Sequence, residues 1–199
     1  MSKWAERRKR VEAESDYDPL ISIPMLEPGT FNLAQARRRI TSEFDSANSK
    51  NITIIDPYLL EGDIDVVLDL FATQPGRKIT IITFLGRVKQ DEKMSPEKVE
   101  AAKIIQSIVA DIERQGVFSS FEIIKTDFNF HDRFFVCTDQ DKDGVVISSG
   151  GSLSMLLTDY SGLIRITNKT FKRSLLQFIE RAKKNGSTLP DFIAEQSWI

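Results

Sequence analysis

The stretch 121–153, FEIIKTDFNFHDRFFVCTDQDKDGVVISSGGSL, decides how the rest of the chain is read. β-Branched and aromatic residues dominate 121–135 and 145–149, and residues 139–144 between them are turn formers, which predicts two strands joined by a polar turn. His131, the only histidine in 199 residues, falls within the first of these strands. Arg133 follows two residues later and, on an extended strand, shares its face. A nucleophile or proton carrier and a fixed cation are therefore expected to point the same way. The second strand runs into Gly150-Gly151-Ser152, where missing side chains let a ligand approach the backbone and a hydroxyl is free to donate. The set suits a phosphate. The plainer reading of His131, a hydrogen-bonded scaffold residue in a strand, stays open beside it.

Upstream, residues 51–58, NITIIDPY, form a run of β-branched residues typical of a strand buried on both faces, closed by Asp56-Pro57-Tyr58. Ile64, Val67, Leu68 and Phe71 mark a short amphipathic helix that Gly76 ends. Residues 78–85, KITIITFL, give a second apolar strand, and strand, helix and strand make a βαβ unit. Ser95-Pro96-Glu97 reads as a helix start, with Val99, Ala102, Ile105 and Ile112 carrying the helix to Gly116 as its C-cap. Before this unit, Asn32 caps a helix with Leu33, Ala36, Ile40 and Phe44 on one face. Downstream, 163–167 makes a further strand, and Phe171, Leu175, Phe178 and Ala182 place a closing helix that ends at Gly186. The order predicts an α/β fold, a mixed central sheet flanked by helices.

The central residues resemble the signature of the phospholipase D superfamily, His-x-Lys, then Asp, then Gly-Ser. His131 stands at the nucleophile position, Arg133 where the family usually has Lys, and Gly151-Ser152 at the Gly-Ser step. The nearest likeness is to an HDR-type branch, seen here as His131-Asp132-Arg133-Phe134 and Gly150-Gly151-Ser152-Leu153. Thr138 sits where the motif Asp is expected and Asp139 lies one place late. Asp56-Pro57-Tyr58 is a second, weaker point of likeness.

The resemblance implies a phospholipase D-like half-domain over residues 31–186, with a charged and Pro-rich arm at 1–30 and a tail at 187–199. It also implies catalysis without a metal or other cofactor. His131 would attack phosphorus while Arg133 and Ser152, with the Gly150-Gly151 backbone, hold the phosphoryl oxygens. Asp56, Asp132 and Asp139 would orient the set. A complete site in that family takes two motifs, so a chain with one histidine is expected to act as a homodimer. Two functions follow as expectations: a phosphodiesterase, foremost a nuclease, or a catalytically silent dimerisation module that binds a phosphorylated surface or a protein partner.

Composition bounds these readings. A chain of 199 residues, 41% apolar, can bury one sizeable core. A formal charge of −2 and a pI near 5.6 exclude an overall basic coat, so nucleic-acid contact must use local patches. The candidates are Arg7, Arg8, Lys9 and Arg10 in the arm and Arg37, Arg38 and Arg39 on the first helix, each also readable as a solvated surface. The lone Cys137 lies in an apolar strand and is expected to be a small core residue in a reducing compartment. No apolar run marks a signal peptide or a membrane span, which points to a cytoplasmic protein. Trp4 in the arm is a candidate anchor for a protein partner, and the tail with Phe192 and Trp198 is expected to pack back on the domain or on a partner, as in a subunit of a multi-protein system of the defence type.

Overall fold

Runs of Ile and Thr at 51–55 and 78–83 have no helical period and enough β-branched bulk to favour extended backbone, and both become strands. The computed structural model describes residues 17–18, 33–85, 95–128, 130–139, 144–151, 153 and 163–197. In chain order these hold β1 (Tyr17–Asp18), α1 (Leu33–Ser46), β2 (Asn51–Ile55), α2 (Glu61–Phe71), β3 (Lys78–Thr83), α3 (Pro96–Arg114) and β4 (Ser120–Lys125). Then come β5 (Arg133–Cys137), β6 (Val146–Ser149), β7 (Leu163–Ile166), α4 (Lys169–Asn185), β8 (Ser187–Thr188) and α5 (Leu189–Ser197).

The described strands form one mixed sheet in the order β1-β7-β6-β5-β2-β3-β4-β8. β2, β3 and β4 are parallel, and β5, β6, β7 and β1 extend the β2 side in antiparallel fashion while β8 closes the β4 side. The fold is thus α/β, as the residue pattern predicts. Successive residues of each strand feed opposite faces. Ile54, Ile81, Ile123 and Phe135 pack with Phe44, Val67, Ile105 and Phe192 from α1, α2, α3 and α5. Their neighbours Ile55, Ile82, Ile124 and Phe134 pack with Leu175, Ile179 and Ala182 of α4. That alternation is why these strands carry apolar residues at consecutive positions such as 54–55, 81–82, 123–124 and 134–135.

Helix boundaries follow the punctuation of the sequence. Ser95 is the extended N-cap of α3 with Pro96 in its first turn, and Gly116 takes φ +65°, the left-handed conformation that ends the helix. Asn168 caps α4 by accepting from the Phe171 N–H at 2.9 Å. Gly186 ends that helix against β4: a Cβ there would meet the Ala182 carbonyl oxygen and Ile124 Cγ2 at 2.6 Å and the Lys125 carbonyl oxygen at 2.7 Å.

One expectation about the strands needs correction. The apolar run 121–135 is not one strand: it divides into β4 and β5, which lie at separate places in the sheet with β2 and β3 between them. The hairpin that remains is β5 with β6, in the register Arg133↔Ser149 and Phe135↔Ile147. Of the two settings expected for the 187–199 segment, on the domain or on a partner, its described residues take the first. β8 pairs with β4, and α5 buries Leu189, Phe192 and Ile193 in the core, so Phe192 is not available as a partner anchor. Within the arm, β1 pairs with β7. The Asn32 cap, the 7–10 basic run, Trp4, Ser152 and Trp198 lie outside the described residues. No helix among the described residues is long and apolar enough to cross a membrane.

Candidate functional site

The three parallel strands end together, and each end is tied by a short side chain that accepts backbone N–H groups. After β2, Asp56 Oδ1 accepts from Tyr58 N at 2.9 Å across Pro57, an Asx turn. At the end of β3, buried Thr83 Oγ1 accepts from Leu85 N at 3.1 Å, and Leu85 itself is left-handed at φ +56°, a strained setting for a branched side chain worth about 1–2 kcal/mol. After β4, Thr126 N donates to the Thr83 carbonyl at 2.9 Å and Thr126 Oγ1 accepts from Phe128 N at 3.2 Å.

From there the chain crosses to the far side of β2 and enters β5. β2 is therefore the strand at which the order of the sheet reverses: its chain continues to β3 on one side, while the segment 126–132 returns on the other. The crevice at the carboxyl ends of strands beside such a reversal is where open α/β sheets bind ligands. His131 and Arg133 sit on the segment that makes this return.

Asp56 is the hub. Only 1% exposed, its carboxylate also accepts from Leu153 N at 3.2 Å on Oδ2, and Arg133 Nε lies 3.3 Å from Oδ2 and 3.4 Å from Oδ1. The Arg133 guanidinium stands over the Tyr58 ring, 5.7 Å from its centroid. Nε is thus spent on a buried anion and the plane is set by an aromatic face. The two terminal nitrogens have no partner among the described residues, and the side chain is 20% exposed. Facing Arg133 across the hairpin, Ser149 Oγ donates to the Gly151 carbonyl at 2.9 Å and accepts from Gly151 N at 3.3 Å, which folds the glycine step over the end of β6. Asp56, Arg133, Ser149, Gly151 and Leu153 line one shallow depression.

Of the residues singled out by sequence, Asp56, Arg133 and Gly151 meet here. His131 and Asp132 precede the strand rather than lie in it, so the same-face argument from alternation does not reach His131. Both are exposed, and neither has a hydrogen-bond partner among the described residues. Gly150 is exposed at the turn. Asp139 is not part of the set. It sits at the opposite end of β5, where it accepts from Lys50 N at 2.6 Å and Asn51 N at 3.2 Å and closes the start of β2. Burial pushes its carboxyl up, but the Cys137 thiol and those two N–H groups outweigh this and hold it below the ordinary carboxylate value. Burial, and then the same Asp139 contact, push the Cys137 thiol up, as expected of an inert core cysteine.

Sequence reasoning missed the clamp that holds the His131 segment. Phe130 stacks on Phe84 at 4.5 Å between centroids with 23° between the planes, and meets Phe178 of α4 edge-on at 5.5 Å. Phe128 reaches the same Phe178 at 6.1 Å. The alternation Phe128-x-Phe130 was visible but has the period of a strand. Tyr58 and Ser149 were also missed, although the first lies in the Asp-Pro-Tyr step and the second is the polar residue that ends a buried strand.

No protein-family model matches the chain, and no curated protein matches it. Among solved structures the chain is similar to TrmBL2, an archaeal chromatin protein whose structure is described as showing a novel mode of DNA binding. The identity is 15%, the TM-score is 0.39, and the match covers 94% of this chain and 63% of that one, so this chain spans less than two thirds of the other's length.

Proposed function

We propose that the chain is a metal-independent phosphodiesterase of the phospholipase D type, foremost a nuclease, acting as a homodimer whose two His131 segments face one another. The observation that supports this most is Arg133: its Nε is fixed by buried Asp56, its terminal nitrogens are left without a protein partner among the described residues, and it lies two residues beyond an exposed histidine at the reversal point of the sheet. A guanidinium anchored in this way presents a planar fork to a phosphoryl group with little further ordering. In the mechanism that the family resemblance implies, one His131 attacks phosphorus and forms an N–P bond as the P–O bond to the leaving group breaks. The partner subunit's His131 protonates that leaving oxygen. Water then attacks phosphorus, giving its proton to the partner subunit's His131, which the first step left neutral, as the N–P bond breaks, and Arg133 stabilises the charge on the phosphoryl oxygens in both steps.

A second reading, a silent module that binds phosphate without chemistry, is favoured by one feature. No described side chain orients His131, whereas a nucleophilic histidine is usually held by a hydrogen bond to its second ring nitrogen. One assay separates the two: hydrolysis of mixed DNA, RNA and bis(p-nitrophenyl) phosphate in EDTA, by wild type and by His131→Asn and Arg133→Lys. The phosphodiesterase predicts turnover that disappears in His131→Asn with the melting temperature kept, and is maintained or raised in Arg133→Lys. No hydrolysis of any substrate by wild type, together with weaker phosphate binding in Arg133→Lys, would establish the module instead.

A further inference from the structure

The charge of the helices is divided unequally between the two faces of the sheet. α4, over one face, carries Lys169, Lys172, Arg173, Arg181, Lys183 and Lys184 against the single acid Glu180. On the other face α2 has four acids and no base, α5 two acids and no base, α3 four acids against three bases, and α1 three bases against two acids. A formal charge of −2 therefore hides a polarised molecule. At about 100° per residue, Lys169, Arg173, Lys184 and Arg181 fall within about 120° of one another. They lie on the side away from the buried Leu175, Ile179 and Ala182, and all four are exposed. Glu180 is the one acid within the stripe. Arg173, Arg181 and Lys184 have no ion-pair partner among the described residues. Lys172 and Lys183 turn inward, to the Gly144 carbonyl at 2.7 Å and Thr80 Oγ1 at 3.3 Å.

The stripe is joined to the candidate site. Phe178, in the middle of α4, is the residue against which Phe128 and Phe130 pack, and His131 follows Phe130 directly. Seventeen residues of helix extend about 25 Å, the axial length of roughly seven phosphates of one strand of a duplex. A helix that lies in a membrane surface inserts its apolar side, but the apolar side of α4 is buried on the sheet. The positions between its basic residues, Thr170, Ser174 and Gln177, are small or polar. Phe171, 41% exposed, is turned aside against Phe134 at 5.6 Å. No aromatic side chain interleaves the stripe, so it is built to track a backbone and not to stack bases.

We propose that the exposed face of α4 is a sequence-independent track for a nucleic-acid backbone that leads to His131. It rests on the phosphodiesterase reading only for the destination of the strand, since binding along α4 does not require turnover. The test is fluorescence anisotropy of a mixed-sequence 30-nucleotide DNA, single-stranded and as duplex, with the full chain carrying His131→Asn so that the probe stays intact. Four backbone contacts predict a slope of log affinity on log salt of about −2.8 for the single strand, a loss of about fiftyfold between 50 and 200 mM KCl. Adding Arg173→Gln, Arg181→Gln and Lys184→Gln should flatten that slope by about 2 and weaken binding at 50 mM about tenfold or more. Glu180→Gln, which removes the one acid, should strengthen it. Neutralising Lys98, Lys103 and Arg114 on α3, the same change of charge on the opposite face, should alter neither quantity.

Equal effects of the two triple substitutions overturn the track, as does absence of binding at 50 mM. Capture of the chain by phosphatidylserine vesicles without binding to either oligonucleotide also overturns it. Should the α4 triple variant not fold, Glu180→Gln alone decides, because unchanged or weaker binding contradicts the track. Hydrolysis of bis(p-nitrophenyl) phosphate without oligonucleotide binding removes the track and keeps the enzyme. Binding without hydrolysis by wild type does the reverse.

Discussion

Asp56→Asn tests the hub of the site with a change of almost no volume. The carboxylate accepts from Tyr58 N, Leu153 N and Arg133 Nε with two oxygens, at 1% exposure. An amide keeps one acceptor oxygen and turns two N–H donors toward groups that are themselves donors. At least one backbone N–H then loses an ionised acceptor, which costs about 1.5–3 kcal/mol. The lost ion pair adds about 1 kcal/mol and no more, because Arg133 is partly in solvent and its field is screened. The sum, about 3 kcal/mol, corresponds to a fall in melting temperature of roughly 6–12 °C for a chain of this length. Urea unfolding followed by circular dichroism should show the midpoint moving with an unchanged m value. Combining Asp56→Asn with Arg133→Met should give a coupling of about 1 kcal/mol. A destabilisation below about 0.5 kcal/mol, or additivity of the two changes within that margin, would refute the buried hub and reduce the pair to an ordinary surface contact.

Asp139→Asn should destabilise by about 1 kcal/mol at neutral pH, through weaker acceptance from Lys50 N and Asn51 N at the start of β2. Because the folded carboxyl lies below its ordinary value of 3.8, its contribution is present above that pH and lost as pH falls through the lower folded value. The wild-type and Asp139→Asn urea midpoints should therefore converge on acidification below about pH 4, and a constant gap down to pH 2 would contradict the assignment. Gly186→Ala should cost about 1–3 kcal/mol, since the new methyl would sit 2.6–2.7 Å from the Ala182 and Lys125 carbonyl oxygens and from Ile124 Cγ2. An unchanged melting temperature would mean that the α4 to β8 junction yields freely.

The elements that were legible in the sequence are those in which local chemistry and tertiary burial agree. β2 and β3 are β-branched and buried on both faces, α3 has Ser95-Pro96 at one end and Gly116 at the other, and α4 ends at Gly186. The run 121–135 misled because Phe128 and Phe130 alternate with polar residues as in a strand. They are instead half-buried against Phe178 and Phe84, and the last ladder bond of that region is Thr126 N to the Thr83 carbonyl. The residues 188–191 held a readable helix start: Thr188 Oγ1 donates to Asp191 Oδ2 at 2.6 Å and accepts from Asp191 N at 3.4 Å, a Thr-x-x-Asp capping pattern. Within the site, residue identities pointed to His131 and Arg133, but that Asp56 holds the arginine depends on a contact across 77 residues that no local pattern encodes. Asp139 looked like a displaced motif residue for the opposite reason. Proximity in sequence to Arg133 conceals that a five-residue strand carries the two to opposite ends of the sheet.

The central claim is that His131 is a nucleophile, and the most direct measurement is a search for its covalent intermediate. Wild-type protein mixed for milliseconds with bis(p-nitrophenyl) phosphate in EDTA, quenched in base and analysed by intact-mass and peptide mass spectrometry, should carry an acid-labile nitrophenyl-phosphoryl adduct on the peptide that contains His131. The adduct should be absent from His131→Asn and should disappear on brief acid treatment. Hydrolysis without any adduct on His131, or an adduct that persists in His131→Asn, would contradict the account.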